Sequence, residues 1–226
     1  DAAHSLGSTF KGVSVGRLAD FTTFSFYPTK NITTAEGGAL ATLDGNRFRV
    51  AKLFARQGVV RDATDFVHES HGPWHQEVHV FGLNYRMPDV LAALGQSQIS
   101  RLRMFKERRA EIKALYDMLL GDHAELRVPH KREGVDPHWH LYPLRVPAKK
   151  RRAMFEYLRG QGVGVQVNYR PVYQNPVFRR SGYAETHCPV AEEFYATEIS
   201  LPIWVGLSDL QVKHVANLVL NSLSKS

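Results

Sequence analysis

A short strand that is made to stop constrains this chain more than any other feature. Phe21-Thr22-Thr23-Phe24-Ser25-Phe26 has the aromatic and β-branched content of a short buried strand. Pro28 lacks the N–H that a continuing ladder needs, so the backbone must turn, and Lys30 falls on a turn at the strand's end. Gly37-Gly38-Ala39-Leu40-Ala41-Thr42 then reads as a second short buried strand, ended by Asp44-Gly45-Asn46. Between the two, Lys30 stands alone among apolar and small residues. A lysine held in a partly desolvated pocket has a lowered pKa and becomes a usable amine nucleophile, as Schiff-base chemistry requires. The same lysine also reads as a surface residue whose stem packs on Phe26, and the local sequence leaves both readings open.

The rest of the chain alternates helical and extended patterns. A helix is expected over residues 47–57, capped by Asp44 or Asn46, with Phe48, Ala51 and Phe54 or Ala55 on its apolar face. Residues 58–83 read as a polar loop rich in histidine. His71, His75 and His79 are spaced by four, but Gly72 and Pro73 break any helix that would align them and no HExxH motif accompanies them, so no metal site is assigned. Such a loop suits an active-site lid or a subunit contact. From Met87 the pattern is helical, with Leu91, Leu94, Gln98 and Leu102 along one face, then a continuation or bend into residues 107–120, ended by Gly121. A strand over 140–146, a helix over 149–161, a strand over 163–168, a helix over 189–198 and a terminal helix over 210–223 capped by Ser208 follow. The shift in composition predicts two domains, residues 1–120 and 121–226, the second a small α/β domain.

Composition narrows the class. At 226 residues, 43% hydrophobic and 23% charged, the chain has the make-up of a soluble globular protein with a sizeable core. No apolar run approaches the ~20 residues a membrane span needs, and the start lacks a secretory pattern, so no membrane partner is expected. The one cysteine, Cys188, rules out an internal disulfide and fits a cytoplasmic location; beside Pro189 it reads as a small buried residue. A net charge of +7 invites a nucleic-acid reading. The run from Arg101 to Arg109, however, shares a helix with Leu102, Phe105, Ile112 and Leu115, which is the pattern of an amphipathic helix with a solvated basic side. No aromatic-interleaved basic motif or zinc-ligand spacing supports nucleic acid as a partner, and a phosphate-bearing substrate suffices.

Three clusters carry a resemblance. Asp1-Ala2-Ala3-His4, then Ser25-Phe26-Tyr27-Pro28-Thr29-Lys30 with Glu36-Gly37-Gly38, then Gly82-Leu83-Asn84-Tyr85-Arg86-Met87-Pro88-Asp89 resemble the DegT-type sugar aminotransferases, which use pyridoxal 5'-phosphate (PLP). Trp139-His140-Leu141-Tyr142-Pro143, the stretch over 162–169 and Cys188-Pro189-Val190-Ala191-Glu192-Glu193 are most similar to the branch that aminates C4 of a UDP-linked 4-keto-6-deoxy sugar on the way to pseudaminic acid. The resemblance implies the α/β fold of type I PLP-dependent aminotransferases. Residues 1–120 would be the C-terminal part of the PLP-binding large domain, residues 121–226 the small C-terminal domain, and the chain the C-terminal portion of a larger enzyme.

The resemblance also implies roles. Lys30 is the residue that bonds covalently to PLP and then shuttles the proton as general base. Asp1 pairs with the pyridinium nitrogen, His4 contacts the ring's 3-oxygen, and Ser25 hydrogen-bonds the cofactor phosphate. Asn84 and Arg86 reach across a homodimer interface toward the neighbouring subunit's phosphate. The expected function is transamination of a UDP-sugar with glutamate as amino donor; the alternatives are an inactive relative acting as regulator or heterodimer partner, and a basic nucleic-acid binder. Retention of Lys30 favours transamination over the dehydration catalysed by relatives that replace it. Tyr27 and Asn168 depart from the pattern, standing where the closest relatives carry histidine.

Overall fold

A computed structural model describes residues 1–224. They form two compact units, residues 1–102 with 134–136, and residues 103–133 with 137 onward.

The first unit is built from short antiparallel ribbons and two helices. Strand β1 (Thr9–Phe10) pairs with β2 (Val13–Ser14) on one side and with β7 (Val135–Asp136) on the other. Strands β3 (Thr22–Ser25) and β4 (Gly38–Ala41) pair in a register that sets Thr22 opposite Ala41 and Ser25 opposite Gly38. Both strands lie where expected, but β4 is exposed rather than buried, because two strands alone cannot cover both faces; Leu40 is 48% exposed. Helix α1 (Gly45–Ala55) starts at Asp44, whose Oδ1 accepts the N–H groups of Asn46 and Arg47 at 2.8 and 2.9 Å, two of the donors a helix start leaves unpaired. Its apolar residues are uncovered within the unit, Phe48 at 57% and Phe54 at 42% exposure.

Residues 58–83, expected as one loop, hold a further hairpin of β5 (Val59–Val60) and β6 (Glu77–Val78) and a helical turn at Ala63–Asp65. The β-branched pair Val59-Val60 was the available strand signal. Glu77 organises the loop: its carboxylate accepts the N–H groups of Val67 and His68, each at 2.8 Å, and lies 2.6 Å from His79 Nε2 and 3.5 Å from His75 Nε2. These bonds, the Val67 N–H first, hold its pKa down to about 2. Among the described residues no group of three or more His, Cys, Asp or Glu side chains is arranged to hold a metal. Helix α2 (Asp89–Ile99) closes the unit after Pro88.

The second unit carries the main hydrophobic core. Helix α3 (Leu102–Leu120) contributes Ile112, Tyr116 and Leu120 to it. Strand β8 (Tyr142–Arg145) buries Tyr142 and Leu144 and pairs antiparallel with β9 (Glu198–Leu201), setting Tyr142 opposite Leu201 and Leu144 opposite Ile199. Helices α4 (Ala148–Gly160) and α7 (Asp209–Ser224) supply Met154, Leu158, Val212 and Val219. The short α5 (Pro176–Phe178) and α6 (Pro189–Thr197) complete the set.

Four expectations fail here for physical reasons. Arg109 is not on the solvated side of α3: it is 6% exposed, and its Nη1 donates to the carbonyls of Trp139, His140 and Ile203 at 3.1, 3.2 and 2.8 Å. Burial pushes its pKa down to about 10. The strand expected over 163–168 is an extended segment with one bridge, Gln166 to Ser200, because the next N–H, that of Asn168, donates to the Glu198 carboxylate at 2.8 Å and not to a carbonyl. Glu198 is fully buried, with its pKa raised by desolvation, and begins a strand that the helical reading of residues 189–198 hid. Cys188 is exposed and not a core residue, because the α6 start on which it sits lies at the surface.

Candidate active site

The loop between β3 and β4 is held at both ends, which fixes the turn that carries Lys30. The ladder continues past the strands: Phe26 N–H donates to Gly37 O and Thr34 N–H to Phe26 O, each at 2.9 Å. Thr33 Oγ1 also donates to Phe26 O at 3.1 Å, and Thr34 Oγ1 to Glu36 O at 2.8 Å. Gly37 has φ +153, and a Cβ there would meet Thr34 Oγ1 at 2.5 Å and Met87 Cε at 2.6 Å. Only glycine fits that close approach, and it brings the segment before α2 against the loop. Gly38 is equally confined, with the Phe24 carbonyl oxygen 2.7 Å from where a Cβ would stand.

Lys30 itself is half-buried, with its N–H donating to Tyr27 O at 2.9 Å. Burial lowers its amine pKa. His4 is the titratable neighbour: its pKa is lowered first by burial and then by the charge of Lys30. The tie between them is Asn31, 5% exposed, whose Nδ2 donates to the carbonyls of His4 and Leu6 at 3.3 and 3.5 Å. Asn31 belongs to no motif that sequence reading singled out, and its polar neighbours Thr29, Lys30, Thr33 and Thr34 gave no signal that it would be buried.

The remaining candidates are placed as follows. Asp1 is exposed, with Oδ1 accepting the Ala3 N–H at 2.8 Å, and Ala2 N–H donates to Thr23 O at 2.9 Å, docking the first residues against β3. Ser25 ends β3, and its Oγ accepts the Tyr27 N–H at 3.4 Å, so its own proton remains to be donated. Asn84 and Arg86 come together: Arg86 Nε donates to Asn84 Oδ1 at 2.8 Å, and the segment runs beside the end of α1 through an Arg56–Asn84 bridge. Among the described residues neither pairs with Lys30.

His4 makes a pH prediction. Its lowered pKa means that the folded protein favours neutral imidazole, so below the ordinary value of 6.5 the unfolded chain takes up a proton that the folded chain resists. Stability therefore falls on acidification through that range. His4→Gln in the PLP-free full-length protein is expected to lose less Tm between pH 7.5 and pH 5 than wild type. An equal loss in both would remove His4 as the cause.

The chain is 34% identical over 225 residues to the Bacillus subtilis spore coat polysaccharide biosynthesis protein SpsC, covering 97% of this chain and 58% of that protein. It is 32% identical over 228 residues to the UDP-4-amino-4,6-dideoxy-N-acetyl-beta-L-altrosamine transaminase of Campylobacter jejuni, covering 100% and 58%. Among solved structures it is similar to Helicobacter pylori PseC, an aminotransferase involved in pseudoaminic acid biosynthesis, with TM-score 0.91, 30% identity and coverage of 100% and 59%. Spr1654 of Streptococcus pneumoniae, described as a sugar aminotransferase, matches in its PLP form with TM-score 0.89, 29% identity and coverage of 100% and 57%. The chain spans a little under three fifths of the length of these relatives. Its α/β architecture is theirs, and its residues 1–220 match the model of the DegT/DnrJ/EryC1/StrS aminotransferase family, to which the chain therefore belongs.

Proposed function

We propose that the protein containing this chain is a PLP-dependent aminotransferase that moves an amino group, from glutamate as donor, to the 4-keto carbon of a UDP-linked 4-keto-6-deoxy sugar. The observation that carries the reading is Lys30: a half-buried amine with a depressed pKa, on a turn pinned by Thr33, Thr34 and Asn31. A lysine serving only as a solvated surface cation needs none of these constraints. The C4 position rests on likeness to relatives such as the Campylobacter transaminase, and the glutamate donor on the family resemblance carried by the sequence motifs.

The residues present fit PLP. A less basic amine at Lys30, a hydroxyl proton at Ser25 and a carboxylate at Asp1 are the groups that a carbonyl carbon, a phosphate and a pyridinium nitrogen call for. When bound, PLP supplies the electrophilic carbon and electron-accepting ring that carry the amino group between substrates. Lys30 is then the base that moves the proton at the substrate carbon, and His4, kept neutral, orients without adding a competing charge. We read the protein as a cytoplasmic homodimer in which Asn84 and Arg86 serve the partner's phosphate. The exposed apolar side chains of Trp74, Phe81, Tyr85 and Val90 in the first unit support a protein contact.

Reduction with borohydride tests the assignment. The full-length protein is expected to show a PLP absorbance band that borohydride discharges, with the label on the peptide containing Lys30. A label elsewhere, or no lysine-dependent band, overturns it and favours an inactive relative.

A further inference from the structure

We propose that Asn31 is a positioning residue of the site: its side-chain amide holds the segment that carries Asp1 and His4 against the turn that carries Lys30, and so sets where the amine stands relative to both. The inference rests on Lys30 being the amine that meets PLP, and it adds the device that places that amine.

The first unit has little apolar burial with which to fix a lysine. Apart from Gly58, its buried residues are Ala2, Thr22, Asn31, Ile32 and Thr34, all on the first segment, β3 or the β3–β4 loop, and three of these five are polar. Directional hydrogen bonds therefore set more of the geometry there than apolar packing, which has no preferred direction. Most of those bonds are local: the hydroxyls of Thr33 and Thr34 donate to Phe26 O and Glu36 O, within the loop and its ends. Asn31 reaches further. The acceptors of its Nδ2, His4 O and Leu6 O, lie 27 and 25 positions earlier in the chain.

The two ends of the first segment are thus held by different means. Ala2 N–H donates to Thr23 O at 2.9 Å, which fixes the end nearest Asp1, and Asn31 fixes the end at His4 and Leu6. Ser5 N–H donates to Ala2 O and Ser8 N–H to Ser5 O, each at 2.9 Å, so the segment between is folded into turns that pass a shift at one end to the other. Lys30 is clamped in the same way, by its own N–H on Tyr27 O and by the side chain of the next residue. A primary amide suits the task. It offers two N–H donors, one for each carbonyl, and it brings no charge beside Lys30, whereas a carboxylate would turn only acceptors toward those carbonyls. The titration of the two groups agrees with this arrangement: burial lowers the pKa of both Lys30 and His4, and the Lys30 charge lowers that of His4 further.

The test compares wild type, Asn31→Ala and Lys30→Ala in the PLP-free full-length protein. The pH dependence of acetic anhydride labelling, read on the Lys30 peptide by mass spectrometry, gives the pKa of the amine, and proton NMR gives that of His4. In Asn31→Ala both should move toward their ordinary values of 10.5 and 6.5, with unchanged circular dichroism. The same variant loaded with PLP should lose kcat by about tenfold to a hundredfold at nearly unchanged KM, the size expected when a reacting group is misplaced by about an ångström. In Lys30→Ala, where Asn31 is intact, the His4 pKa should rise because the neighbouring charge is gone. A lower Tm with both pKa values and kcat unmoved would make Asn31 a structural residue and overturn the proposal, as would an Asn31→Ala chain that does not fold. An unmoved His4 pKa in Lys30→Ala overturns it independently of either. The borohydride experiment on wild type is read separately: a label elsewhere overturns the role of Lys30, whereas a label on Lys30 with unmoved pKa values in Asn31→Ala overturns only the role of Asn31.

Discussion

Lys30→Ala in the full-length protein is expected to lose turnover by roughly a thousandfold or more while folding normally. The size follows from what is removed: nucleophile and general base are one amine, and proton transfer by a placed base alone contributes about 10²- to 10⁴-fold. Folding should survive because the side chain is half-buried and fills no core volume, and the loop is held by Thr33, Thr34 and Asn31. A shift of under about 2 °C in the Tm of the PLP-free protein is consistent with a surface-like substitution. The measurement is steady-state amino transfer beside thermal melting. An active variant would end the proposed mechanism, and an unfolded one would show that the lysine stem matters to packing.

Mixing two inactive chains should restore activity if active sites are shared across a dimer. Lys30→Ala lacks the amine and Arg86→Ala lacks the cation proposed to serve the partner's phosphate. In a hybrid dimer both lesions fall on one site and the other site has neither. Random exchange makes about half the dimers hybrid, with half their sites intact, so recovery should approach about a quarter of wild-type activity. No recovery after confirmed subunit exchange would place Arg86 in its own chain's site. The pair Arg86–Asn84 is already arranged within one chain, so the variant should leave that chain folded.

Local chemistry made much of the candidate site legible. Pro28 ended β3, Asp44 capped α1, and Gly37-Gly38 marked a backbone approach too close for a Cβ. Each is a short-range effect: the residue that signals it is also the residue that causes it. The influence of Lys30 on His4 was not of that kind. The two lie 26 positions apart in the chain, and Asn31, next to Lys30, reaches the carbonyls of His4 and Leu6.

The buried and backbone-bonded charged residues share one origin. Arg109, Glu198 and Glu77 are charged residues that sequence patterning assigns to solvent or passes over. In the structure they take bonds from distant backbone: Arg109 donates to Trp139, His140 and Ile203, Glu198 accepts from Asn168, and Glu77 accepts from Val67 and His68. Hydrophobic period places a residue on a face, but it cannot say which carbonyls or N–H groups long-range folding leaves unpaired beneath that face. The position of Lys30, the helix cap and the glycine pair therefore follow from sequence, since their causes lie within a few residues. The burial of Arg109 and Glu198 and the division into two compact units belong to the folded chain, because each satisfies or gathers groups that only tertiary packing brings into reach.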